Sequence, residues 1–209
     1  MILPEKLLDI TDFLKKQKIT LSEKSDDGRI NASFNEKELL NLIQSKFEVQ
    51  IPKARAWYDF ALETQNTFIP VNIKVSQTTQ ADNLNCKLGI YYALTGILPD
   101  FSNEIPYENY FTKLKVNLQT YIDKDYYFLV VNKNDNQDIF VNSLKCLQEI
   151  QPNGNNLPFQ CKWDSNRNMV QRNFQEAKDF ILKGYAQSLR LRAEAYFTFE
   201  QLFPEYFEK

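Results

Sequence analysis

Asp59, Asn72 and Lys74 bring a carboxylate, an amide and an ammonium close together within the stretch Ala54 to Gly96. Such a set can hold a hard metal ion and support negative charge that develops during hydrolysis. Strand alternation predicts how they meet. Ile69, Val71, Ile73 and Val75 take one face of a strand, leaving Pro70, Asn72, Lys74 and Ser76 on the other. On a preceding strand Asp59, Ala61 and Glu63 share a face, and a turn at Thr64 to Thr67 lays that face beside Asn72 and Lys74.

Glu36 and Glu38 fall in the first turn of a helix expected from Ser33 or Asn35 to about Phe47, whose apolar face is Leu39, Leu40, Ile43 and Phe47. The helix dipole stabilises acids there by about 0.3–1 kcal/mol, which suffices to explain Glu38. Glu36, at the helix tip just before the hairpin, has a second reading: it points into the polar face.

Composition narrows the chemistry. The 209 residues include no histidine, so histidine triads, HExxH zinc hydrolases and histidine phosphoryl carriers are excluded. Any hydrolysis has to run on carboxylates, lysine and a hard metal ion. A hydrophobic content of 43% with 25% charged residues fits an ordinary folded chain, and the length fits one core. One domain over 1–209 is expected, with a helical part at about 1–50, a hairpin core at about 51–150 and a basic helical part at about 151–209. The formal charge of -2 gives no global footprint for nucleic acid. Cys86, Cys146 and Cys161 are odd in number and widely spaced, so ordinary reduced cysteines are expected. The N-terminus lacks the pattern of a signal peptide and no apolar run is long enough for a span, so no membrane partner and a cytoplasmic location are expected.

The positioning elements follow in chain order. An amphipathic helix is expected at 2–18, followed by a polar loop, SEKSDDGRINASFN, turning at Gly28. After the hairpin, SQTTQADNLNCK reads as a polar connection and LGIYYALTG as a buried helix ended by Gly96, with Pro99 beyond. Residues 107–120 read as a helix with Tyr107, Phe111, Leu114 and Leu118 inward, and YYFLVVN at 126–132 as a strand buried on both faces. DIFVNSLKCLQEI reads as a strand entering a short helix, QPNGNNLP as a loop, and Val170 to Phe207 as a long helical region interrupted near Pro204. From Lys162 to Arg192 seven Lys or Arg face three acids, so this region is locally basic. A solvated helix face explains that, and so does a phosphate-binding surface in which Arg167 and Arg172 stand among Asn and Gln.

At WYDF followed by PVNIK the sequence resembles the PD-(D/E)xK nucleases, and its layout is similar to that of type II restriction endonucleases. Asp59 matches the first acid, Asn72 occupies the second acid position, Lys74 matches the lysine, and Glu36 matches an additional acid supplied by an N-terminal helix. The likeness extends to GRINASFNE, with Arg29 and Asn31, to ADNLNCKLGIYYALTG, with Lys87, and to LPFQCKWDSNR, with Arg167. It implies an α/β (α+β) fold with a restriction-endonuclease-like mixed central sheet flanked by helices. It also implies Mg²⁺ held by Asp59, Asn72 and Glu36, cleavage of double-stranded DNA, and a homodimer. Arg29, Asn31, Lys87, Arg167 and Arg172 are the expected DNA contacts. An amide at 72 carries no charge, and three readings stay open: Glu36 or Glu63 supplies it, the site works with an amide, or Asn72 replaces an aspartate. The alternative function is a DNA-binding protein on a nuclease fold that does not cut.

Overall fold

The computed structural model describes residues 3–17, 28–53, 56–64 and 67–207. Its helices are α1 (Glu5–Lys16), α2 (Gly28–Lys46), α3 (Lys87–Thr95), α4 (Tyr107–Asn117) and α5 (Phe174–Leu202). Its strands are β1 (Phe60–Thr64), β2 (Thr67–Ser76), β3 (Ala81–Leu84), β4 (Tyr127–Asn132), β5 (Asp135–Ser143) and β6 (Phe159–Lys162). Four strands form a mixed sheet in the order β1-β2-β4-β5, with β2 and β4 parallel and the outer pairs antiparallel. The fold class is thus mixed α/β. No described helix is long and apolar enough to cross a membrane.

The pleat divides the core in two. Phe60, Leu62, Val71, Ile73, Val75, Leu129 and Val131 turn to one face, which is covered by Leu7, Ile10 and Leu14 of α1 and by Leu39 and Ile43 of α2. Phe128 and Val130 turn to the other, which is covered by α3, by Tyr110 and Leu114 of α4, and by Ile181 and Tyr185 of α5. The strand at YYFLVVN is therefore buried on both faces, as its unbroken apolar run predicts. Parallel pairing of β2 and β4 requires a long crossover, and residues 77–126 supply it with β3, α3 and α4.

α3 is buried on every side, as GIYYALT implies. It ends at Gly96, whose φ of 71° lies in the left-handed region open to glycine and whose N–H donates to the Tyr92 carbonyl. A β-carbon at Gly89 would stand 2.7 Å from the Tyr126 ring, so the bare glycine lets α3 lie directly on that ring.

Three expectations need correction. α2 begins at Gly28, inside the segment read as a loop, so Gly28 opens a helix instead of turning the chain. Ser33 and Asn35 are accordingly helical and do not cap it. The connection SQTTQADNLNCK contains β3, which pairs with β6 in a separate antiparallel ribbon; four residues are too short a run for alternation to declare itself. Tyr107 is 40% exposed, and Tyr110 takes its inward place. The three cysteines are free and buried, as expected.

Candidate active site

The hairpin places its polar groups as alternation predicts. Thr64 pairs with Thr67 across the turn, and Phe60 pairs with Val71, so the residues flanking them fall on the opposite face. Asp59 precedes β1, and its N–H donates to the Val71 carbonyl at 2.9 Å. Its carboxylate Oδ2 accepts from the Ile73 N–H at 2.6 Å and from Asn72 Nδ2 at 2.8 Å. Asp59 therefore ends the β1–β2 ladder and fixes the Asn72 amide at once. With Nδ2 committed to Asp59, the Asn72 side chain has its oxygen left to offer. Burial raises the Asp59 pKa, against the lowering effects of the Ile73 N–H and Lys74.

Lys74 shares the face of Asn72 and is only 16% exposed at its side chain. Its Nζ donates to the Asn83 carbonyl at 3.0 Å and stands 4.0 Å from Asp82 Oδ1. Asp82 Oδ2 accepts from the buried Trp163 Nε1 at 2.8 Å, so β3 presents a fixed acid to the lysine. Sequence reasoning missed Asp82. The only available signal was an acid shortly after NIK in a segment dominated by Thr, Asn and Gln.

Glu36 enters from α2. It lies well inside the helix, so the first-turn explanation by the helix dipole does not apply; the first turn of α2 holds no acid. Its carboxyl is pushed up to about 7, chiefly by burial, then by the charge of Asp59, with Asp82 adding to the rise and Lys74 opposing it. Glu36, Asn72, Lys74, Cys86, Tyr126 and Phe128 are among the residues lining a cavity of about 250 Å³. Tyr126 closes its wall by donating its hydroxyl to the Trp57 carbonyl at 2.6 Å. Glu63, the other acid expected to compensate for Asn72, pairs with Phe68 near the turn, is exposed, and does not line the cavity.

Among the described residues, no three His, Cys, Asp or Glu side chains converge closely enough to enclose a metal. The donors at hand are the Glu36 carboxylate and the Asn72 amide oxygen in the cavity lining, with the Asp59 carboxylate, which does not itself line the cavity, bonded to that amide and close enough to raise the Glu36 pKa. That set suits Mg²⁺, which keeps several waters and needs only one or two carboxylates.

The expected DNA contacts fare differently. The side chains of Arg29 and Asn31 lie outside the described residues. Lys87 is buried, donates to the Asn103 and Ile105 carbonyls and faces the Tyr107 and Tyr110 rings. Arg167 grips Asp138 with two contacts of 2.6 Å, reaches Asp164 at 2.7 Å and covers Phe140. Arg172 donates to the Lys145, Leu147 and Gln148 carbonyls and stacks on Phe180. These three cations serve internal structure, which leaves them little to give a phosphate. A larger cavity, about 590 Å³, lies at the base of α5 beside Arg172 and Lys145. Asp123, Lys145 and Arg172 line it, but Lys145 donates to the Ile122 and Lys124 carbonyls and Arg172 to three others, so both cations are engaged by backbone.

In comparisons with known proteins, no family model and no curated sequence matches the chain.

Proposed function

We propose that the chain is a Mg²⁺-dependent endonuclease of the PD-(D/E)xK, type II restriction kind, cutting double-stranded DNA at a specific sequence. The observation that carries this reading is the meeting of Asp59, Asn72 and Lys74 on one sheet face beside a small polar cavity, with Glu36 facing them from α2. Asp59, Glu36 and the Asn72 oxygen would hold the Mg²⁺, which when bound would polarise the phosphoryl oxygen and acidify a water. Lys74 places a positive charge where the pentavalent phosphorus gathers negative charge, and Asp82 and the Asn83 carbonyl hold its Nζ in place. Asp59 also fixes the Asn72 amide through its Nδ2, which leaves the amide oxygen for the metal.

Digestion of plasmid and phage DNA in Mg²⁺ is expected to give discrete fragments. Asp59→Ala and Lys74→Ala should each lower the rate by about 10²–10³. Cleavage that survives both changes would sink the reading. Asn72→Asp should tighten Mg²⁺ binding, because it adds a charge to the donor set. A second reading, a DNA-binding protein that does not cut, is favoured by the uncharged Asn72 bonded to Asp59. It predicts salt-sensitive binding without cleavage in Mg²⁺ or Mn²⁺, even after Asn72→Asp. Cutting both strands of a palindromic site is simplest for a two-fold dimer.

A further inference from the structure

The β3–β6 ribbon is joined to the candidate site, because Lys74 Nζ donates to the Asn83 carbonyl. Its register pairs Asn83 with Gln160 and Ala81 with Lys162. Leu84, Phe159 and Cys161 are buried in the core, so Asn83, Gln160 and Lys162 take the opposite face. A bridge between Gln151 and Gln160 lays the following loop alongside β6.

Asn153 of that loop donates its Nδ2 to Gln160 Oε1 at 2.8 Å and to Asn83 Oδ1 at 3.3 Å. Its own Oδ1 accepts from the Asn155 and Asn156 N–H groups at 2.9 and 3.1 Å, so Asn153 is fully used in fixing its neighbours. Both neighbours thus turn their carbonyl oxygens toward Asn153. Asn83 Nδ2 and Gln160 Nε2, on two half-buried side chains, are left as donors without a hydrogen-bond partner among the described residues.

We infer that this ribbon reads bases in the major groove of duplex DNA, with Asn83 and Gln160 donating to guanine N7 and O6. The inference rests on the nuclease reading and names the recognition element of the same site. The groove admits a two-stranded ribbon, and guanine presents two adjacent acceptors there, whereas adenine presents an acceptor beside a donor. Side chains held by a shared partner meet the base already oriented, which reduces the entropy cost of binding. Lys162, exposed on the same face, is placed for the flanking phosphates.

The test is digestion of a duplex library with a randomised segment in Mg²⁺, followed by sequencing of the cut ends. The wild type is expected to require guanine at fixed positions. Gln160→Ala and Asn83→Ala should each relax one of those requirements by about tenfold or more, Gln160→Ala while cleavage persists. Thermal melting of each variant checks that it folds. A wild-type digest of the selected site carrying 7-deazaguanine, which lacks the N7 acceptor, leaves the protein untouched and should proceed at least about tenfold more slowly. A wild type that neither cuts nor binds DNA overturns the nuclease reading and this inference with it. A wild type that cuts a defined sequence, with folded variants keeping the same preference and 7-deazaguanine tolerated, overturns the ribbon assignment alone.

Discussion

Glu36 carries a proton in the folded protein under conditions where an exposed glutamate would have lost it. Burial, Asp59 and Asp82 raise its pKa from 4.5 to about 7. Between those values the folded chain binds a proton that the unfolded chain has released. The stability tied to that proton is whole below pH 4.5 and is lost as pH rises through 7. A shift of this size corresponds to at most about 3 kcal/mol. Without divalent ions, wild-type stability from urea melts should therefore decline across this window more steeply than that of Glu36→Gln, which stays neutral throughout. Parallel curves for the two proteins would show that Glu36 titrates as an exposed acid does. The sequence could name this residue but not its circumstances. An acid following a Ser and Asn cluster reads as a first-turn glutamate, and only the actual start of α2 at Gly28 puts it well inside the helix. Asp59, Asn72 and Lys74 were legible because period-two alternation depends on the strands alone. Asp82 was not, because its meeting with Lys74 depends on β3 finding β6, a pairing made far along the chain.

At the scale of elements, the seating of α3 on β4 controls the cavity wall. Gly89 lies against the Tyr126 ring, and Tyr126 holds the Trp57 carbonyl beside the cavity. Gly89→Ala should push ring and helix apart at a cost of about 1–3 kcal/mol, measured by denaturant melts. Trp57 packs on Tyr126 with ring centroids 5.8 Å apart, so its fluorescence should report the displacement. An unchanged midpoint and spectrum would mean that the wall yields without strain. α3, β4 and the long C-terminal helix were readable because each is a long apolar or periodic run with a clear stop. The ribbon and the start of α2 were not, since Asn, Ser and Thr are equally at home in loops, and only packing decides for them.

For the whole molecule, α5 is a helix of two halves. Ala177, Ile181, Gly184 and Tyr185 are buried, whereas Tyr196, Phe197, Phe199, Leu202 and Phe203 beyond them are exposed, Leu202 by 66%. Four half-exposed aromatics and a leucine present roughly 500 Å² of apolar surface, somewhat below the ~800 Å² per partner of a standard interface. If the proposed two-fold dimer uses this end, sedimentation equilibrium should give about twice the 24.7 kDa chain mass, and a Phe199→Glu, Phe203→Glu double variant should run as a monomer. A wild type that stays monomeric at tens of micromolar would count against it. The walls of the candidate site have a different consequence. Tyr126 reaches Trp57 across 69 positions, and Trp163 reaches Asp82 across 81. Contacts of such separation carry the largest loop-closure cost and slow folding. The closed cavity is therefore expected to form late in folding: the hairpin by itself brings Asp59 to Asn72, but Glu36 from α2 and the wall at Tyr126 reach it only when distant parts of the chain have docked.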